Sequence, residues 1–312
     1  MRSAAANTTG PILVAWNPEE NPLLVEYAAV LARRTGARVI LTHVIAPNPA
    51  EKKTAPGVIR IADPTVCRAV REKVEFAALQ LLWQGIVCDP VVLSGDATEQ
   101  IAALARARGA NRVLVSARKL SNDADSSEAS VVERLLGKVD APLLVLGPAA
   151  SCLADAEPMD GRIVLALSLR HGRSAEFVSF GSRMARQRRS RLALLHVMNL
   201  AGMTEQQRQQ AHLRARTHLA ALAATEPDPL FPIEILVREG GIVESIVEEA
   251  RCPLRDLIVI GTGTPRRGAA ARNGVIHQVI ASASCPVLVF NSQHDAETNL
   301  PEASSAMTDA AD

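Results

Sequence analysis

The run Gly261-Thr262-Gly263-Thr264-Pro265-Arg266-Arg267-Gly268, followed by Asn273-Gly274, has the residue types that hold an anion. Glycines let backbone N–H groups approach a phosphate closely, and hydroxyls add donors. Arginine pairs with phosphate through two parallel hydrogen bonds. Arg170, His171 and Arg173 add basic character after an earlier aliphatic run. The same residue types also make ordinary turns, so the run alone does not require a ligand.

Elsewhere the chain offers less chemistry. His43 and His196 each precede a valine at the end of an aliphatic run, with no His/Cys/Glu cluster near in sequence. Both read as histidines packed in the fold. Cys67, Cys88, Cys152, Cys252 and Cys285 are odd in number and form no CxxC pair. Neither a disulfide framework nor a zinc site is expected, and Cys285 reads as a small buried residue. Arg183, Arg186, Arg188, Arg189 and Arg191 read as a solvated helix end, where cations complement the helix dipole. The basic stretch Gln206–His218 lacks the aromatics of a single-strand nucleic-acid surface. No residue is singled out as catalytic or metal-ligating. Asp256 and Glu239 are the carboxylates open to a slow ATP hydrolase.

These residues need elements to position them, and the elements recur. Ile12–Trp16 is matched by Ile163–Leu167, and Val39–Val44 by Leu192–Val197. Val91–Asp96 is matched by Ile235–Gly240, Arg112–Ser116 by Leu257–Gly261, and Ala141–Leu146 by Cys285–Phe290. Short aliphatic runs of this kind are buried strands. Helical patterns follow them: about Pro22–Thr35, capped by Asn21 and stopped at Gly36, then Thr98–Arg108 and Val243–Ala250. Thr204 and Gln207 have capping-box spacing. Each half therefore alternates strand and helix, which predicts an α/β fold with parallel sheets covered on both faces.

Taken twice over, the two His-Val strand ends, Gly95-Asp96 and the Pro-Val-Leu-Val of the last strand resemble the universal stress protein family. The resemblance implies two Rossmann-like (flavodoxin-like) open sheets of five parallel strands, each in the order 3-2-1-4-5. It implies domains at 11–147 and 161–291, a linker at 148–160 and a disordered tail at 292–312. It further implies that the domains pair internally through their fifth strands, and it leaves a homodimer and an unidentified protein partner open.

Nucleotide-binding members of that family carry an Asp after strand one. After strand four they carry G-x-x-G and then G-[ST]. In the first half Ser116, Lys119, Ala129 and Ser130 fall on those loop positions, so the glycines are gone. Asn17 replaces the Asp, and Asp123, Asp125 and Glu128 would repel a phosphate. In the second half the loop is one residue short, Asn273-Gly274 falls on the final pair, and Ser168 replaces the Asp. The resemblance also places Val44 and Val197 near a base pocket. The implied site is thus Ser168, Val197, Gly261, Thr262, Gly263, Thr264, Arg266, Arg267, Gly268, Asn273 and Gly274, for ATP or another adenine nucleotide. The implied function is a non-catalytic stress-response protein, with two alternatives: a partner-binding module with both sites dead, or the hydrolase above.

Composition sets the outer bounds. A chain of 312 residues suits two domains of about 100–200 residues. Aromatics are only 3%, so the cores must be aliphatic. Net charge is +1, which argues against a nucleic-acid or membrane-surface partner. No signal-peptide pattern or long apolar span is visible, so a cytoplasmic location is expected.

Overall fold

The computed structural model describes residues 10–18, 23–46, 57–63, 67–117, 131–150, 161–169, 174–227, 229–250, 256–261 and 274–290. The first half runs β1 (Ile12–Ala15), α1 (Leu23–Thr35), β2 (Val39–Ile45), α2 (Arg68–Trp83), β3 (Cys88–Ser94), α3 (Ala97–Ala107), β4 (Arg112–Ser116), α4 (Val131–Leu136) and β5 (Leu143–Leu146). The second runs β6 (Arg162–Ala166), α5 (Ser174–Arg188), β7 (Arg191–Met198), α6 (Glu205–Ala224), β8 (Glu234–Glu239), α7 (Ile242–Glu249), β9 (Leu257–Gly261), α8 (Val275–Ser282) and β10 (Val287–Phe290).

The expectation of two separate five-stranded sheets is corrected. All the strands form one ten-stranded sheet, ordered β3-β2-β1-β4-β5-β10-β9-β6-β7-β8. Within each half the order is 3-2-1-4-5 and every pairing is parallel. Across the middle, β5 and β10 pair antiparallel, with Leu143↔Val289, Leu144↔Leu288 and Val145↔Val287 in register. The physical reason is the edge-strand problem. Each half ends on a fully buried aliphatic strand with unpaired backbone groups, and each satisfies the other's.

Alternation along the strands feeds two cores. Ile12, Val14, Val39 and Leu41 face α1 and α2, while Ile163, Leu165, Leu192 and Leu194 face α5 and α6 on the same side. Leu13, Ile40, Val113 and Val115 face α3 and α4, and Val164, Ala193, Ile258 and Ile260 face α7 and α8. Helix stops follow their sequence signals. Gly36 ends α1 at φ +66°, and the Thr204–Gln207 capping box opens α6 with both reciprocal hydrogen bonds formed.

The seam between halves is packed on both faces. On one, Arg34 at the end of α1 donates to the carbonyl of Arg188 at the end of α5. On the other, His277 of α8 lies 3.2 Å from the Glu133 carboxylate of α4. Gly147, just past β5, lies so close to α8 that a Cβ there would sit 1.9 Å from the Ile280 carbonyl oxygen. Among the described residues no helix is long and apolar enough to cross a membrane.

Candidate functional site

In a sheet of this kind the ligand crevice opens at the carboxyl ends of the strands, where the strand order reverses. That point lies between β1 and β4 in the first half and between β6 and β9 in the second. In the second half, Ala166 pairs with Ile260, so exposed Ser168 follows β6 at the same end where Gly261 closes β9. Leu195 pairs with Ala166, which puts Val197 of β7 at that end too, half-buried against the α7/α8 core. Gly274 caps α8 without any side-chain bond, and among the described residues nothing lies within 4 Å of where its Cβ would be. The structure thus gathers Ser168, Val197 and Gly261 at one end of adjacent strands. Thr262, Gly263, Thr264, Arg266, Arg267, Gly268 and Asn273 lie outside the described residues.

The rim of each crevice is held by the same device. The His43 ring Nδ1 is 2.9 Å from the Trp16 carbonyl oxygen, and His196 Nδ1 is 2.8 Å from that of Leu167. A carbonyl only accepts, so Nδ1 carries the proton in both rings. Each histidine therefore ties strand two of its half to the residue just before Asn17 or Ser168. Both histidines are structural, as their sequence setting indicates, yet they fix the crevice edge. Beneath the second crevice lies an aromatic wall. Phe177 and Phe180 of α5 pack on Phe290 with ring centroids 5.4 and 4.4 Å away, and a Gly261 Cβ would meet the Phe177 ring at 3.7 Å.

The helices that follow strand four differ between halves. α8 has eight residues and no acidic side chain in its first turn. α4 has six residues and carries Glu133 in its first turn. A helix start bears partial positive charge from unsatisfied N–H groups. Glu133 belongs to the first turn of α4, whereas α8 has no acid of its own there, although the same Glu133 carboxylate lies 3.2 Å from His277 in the first turn of α8.

Several residues stand elsewhere than a ligand site would need them. Asp256 precedes β9, at the amino end of the sheet, and accepts the Arg162 backbone N–H at 3.1 Å. Glu239 at the end of β8 is taken by His212 and by Arg208, the latter at 3.8 Å. Gly95 and Asp96 serve the fold: Gly95 has φ +131°, and the Asp96 carboxylate caps α3 by accepting the Glu99 N–H at 3.0 Å. Burial pushes the Cys285 and Cys88 thiols up to about 12, so both stay protonated. Among the described residues no three His, Cys, Asp or Glu side chains gather as a metal site would need.

One reading of the basic run is corrected. Arg188 is not a solvated helix-end residue: it is 8% exposed, with its Nη1 3.3 Å from the Tyr27 hydroxyl of the other half. The sequence reading also missed Arg34 and Arg112, which meet Arg188 at the seam. Nothing in the local pattern could have found that meeting, because 154 residues separate Arg34 from Arg188.

The α/β unit used twice, with strand order 3-2-1-4-5 in each half, defines a Rossmann-like architecture. The profile of the universal stress protein family matches residues 8–147 and 160–291, and the chain belongs to that family. A universal stress protein from Archaeoglobus fulgidus DSM 4304 is similar over 93% of this chain and 98% of its own, with TM-score 0.64 at 16% identity. A functionally unknown protein from Pseudomonas aeruginosa PAO1 is similar over 91% and 93%, with TM-score 0.60 at 19% identity. A shorter Archaeoglobus fulgidus universal stress protein, solved in complex with dAMP, covers 44% of this chain and 96% of its own, with TM-score 0.33 at 18% identity. No curated protein matches the chain.

Proposed function

We propose that the protein is a non-catalytic stress-response protein whose second half alone binds an adenine nucleotide or a similar small phosphate anion. The observation that carries this is the asymmetry at the helix starts. α8 opens from an uncapped glycine with open space around it and no acid in its first turn. α4 is shorter and bears Glu133 there. A phosphate at the α8 start would meet free N–H groups and a favourable dipole. Ser168 and Gly261 would then border the sugar and base, with Val197 behind them. Occupancy would stabilise the second half, and the seam would be the route by which the first half senses it.

The test is calorimetry with ATP, ADP, AMP and cyclic AMP, on the native chain and on two variants. Gly274→Asp places a carboxylate where the phosphate would lie, while aspartate is itself a good N-cap, so the helix should survive. It should weaken binding at least about tenfold, corresponding to roughly 1.4 kcal/mol. Val131→Asp, the same change at the start of α4, should leave binding unaltered. No heat from any nucleotide at millimolar concentration defeats the reading.

The partner-binding reading has one observation in its favour. α2 turns Phe76, Leu79, Leu82 and Trp83 to solvent, with Trp83 75% exposed. The α6 helix at the equivalent place exposes Leu213 as its large apolar residue. A chain that ignores every nucleotide but associates through Trp83 would favour that reading.

A further inference from the structure

The seam gathers three guanidinium groups: Arg34 from the last turn of α1, Arg112 from the first residue of β4, and Arg188 from the last turn of α5. Two belong to the first half and one to the second. Arg34 Nη2 donates to the Arg188 carbonyl, and the Ser190 hydroxyl donates to the same oxygen at 3.3 Å. Arg188 Nη1 donates to the Tyr27 hydroxyl at 3.3 Å. Among the described residues Arg188 Nε is buried without a hydrogen-bond partner, as is Arg162 Nε, so what sets Arg188 apart is its lack of a carboxylate. Among the described residues no carboxylate pairs with any of the three. Burial, and then the proximity of Arg188, push the Arg34 and Arg112 guanidiniums below their ordinary range. They remain cations, because guanidinium does not lose its proton at accessible pH.

Buried charge normally comes with its counter-charge. This protein follows the rule where an arginine serves only the fold. Arg162, also at a strand start, has the carboxylates of Glu234 at 2.7 Å and Glu249 at 3.2 Å. The seam cluster has donors of the same kind, and among the described residues no carboxylate meets them. The carbonyl ends of α1 and α5 offset part of the charge through their dipoles. They do not supply a carboxylate for each guanidinium, and they leave Arg188 Nε unsatisfied.

We infer that the Arg34–Arg112–Arg188 cluster, together with the Tyr27 hydroxyl, is a binding site for a phosphate-type oxyanion that bridges the two halves. The forked guanidinium donors match such an anion's geometry, and the phenol can donate to it while accepting from Arg188. The source is either free inorganic phosphate or the phosphate of a nucleotide. This site uses none of the residues that border the β6/β9 crevice. Because its ligands come from both halves, occupancy would tighten the seam.

The experiment is thermal unfolding of the full chain in inorganic phosphate, in AMP, and in chloride of equal ionic strength. Phosphate should raise Tm by about 2–4 °C over chloride when well above its Kd. Arg112→Gln, on a partly exposed side chain, should abolish the rise. Its Tm in chloride should equal or exceed that of the native chain, because one of three mutually repelling charges is gone. Arg34→Gln should abolish the rise as well. If AMP raises Tm through these arginines and inorganic phosphate does so equally, the free anion suffices. If AMP does so far better, the nucleotide is the source. Two results overturn the inference: no rise with phosphate or AMP beyond chloride, or a rise that persists in both variants. The Gly274→Asp protein should keep the phosphate effect, which separates failure here from failure of the crevice reading.

Discussion

The two halves share a strand order and a histidine latch, yet their crevices face a ligand with different charges. In the first, Asn17 and Ser116 border the opening and α4 begins with Glu133 in its first turn. In the second, Ser168 and Gly261 border it, and α8 begins from bare Gly274. Strand order and the histidine bond recur in both halves, while the residues at the strand tips and helix starts differ. The fold rests on aliphatic periodicity, which both halves keep, with His43 and His196 tying the strand tips. Those features tolerate any change at the strand tips. A phosphate site depends on the tips themselves.

The largest effect that bears on this comparison should come from the seam joining the halves. Gly147→Ala would drive a Cβ into the Ile280 carbonyl, and should cost about 2–3 kcal/mol in urea unfolding. Gly137→Ala, whose Cβ would meet nothing closer than Arg134 O at 3.9 Å, serves as the control. Equal midpoints for the two variants would break the description of the seam.

Next come the latches. His43→Ala and His196→Ala each remove the hydrogen bond to a rim carbonyl and should each cost about 1–2 kcal/mol. The two should part company in calorimetry, where only the His196 variant weakens nucleotide binding. Equal weakening by both would mean that the halves are not functionally unequal.

Helix caps give a smaller contrast. Thr204→Ala breaks the capping box of α6 and should cost about 1 kcal/mol. Cys67→Ala at the matching position of α2, where no side-chain cap bond exists, should leave the denaturation midpoint in place.

The smallest effect concerns alkaline pH. The folded Cys285 thiol is raised from 9.0 to about 12 by burial and by Asp256, and Cys88 likewise to about 12 by burial and Asp89. The unfolded thiols ionise first, so stability is whole below about pH 9 and falls as pH rises from there towards 12. Cys285→Ala should flatten that decline in Tm more than Cys88→Ala, because Cys285 is fully buried. An unchanged decline in both variants would remove the thiols from it.

Much of the fold could be read residue by residue. Arg112–Ser116 and Leu257–Gly261 stand as strands at the expected bounds, and Gly36 stops α1 where its type suggests. The role of Asp96 was less legible. Gly95-Asp96 marks the family, yet its carboxylate caps α3 and also pairs with Arg134 at 3.2 Å. Arg188 was misread outright. In the sequence it sits in a basic run at a helix end, and only packing against Tyr27 of the other half buries it.

The sequence by itself determined the repeated alternation of strands and helices and the loss of the first half's glycines. Those depend on local periodicity and residue type, which a chain carries with it. Tertiary structure alone decided that the strands would form one sheet, that Gly147 would meet Ile280, and that three arginines would converge with no carboxylate among the described residues. Each of these joins residues of the two halves. Such meetings arise from closure of β5 on β10 and leave no periodic trace along the chain.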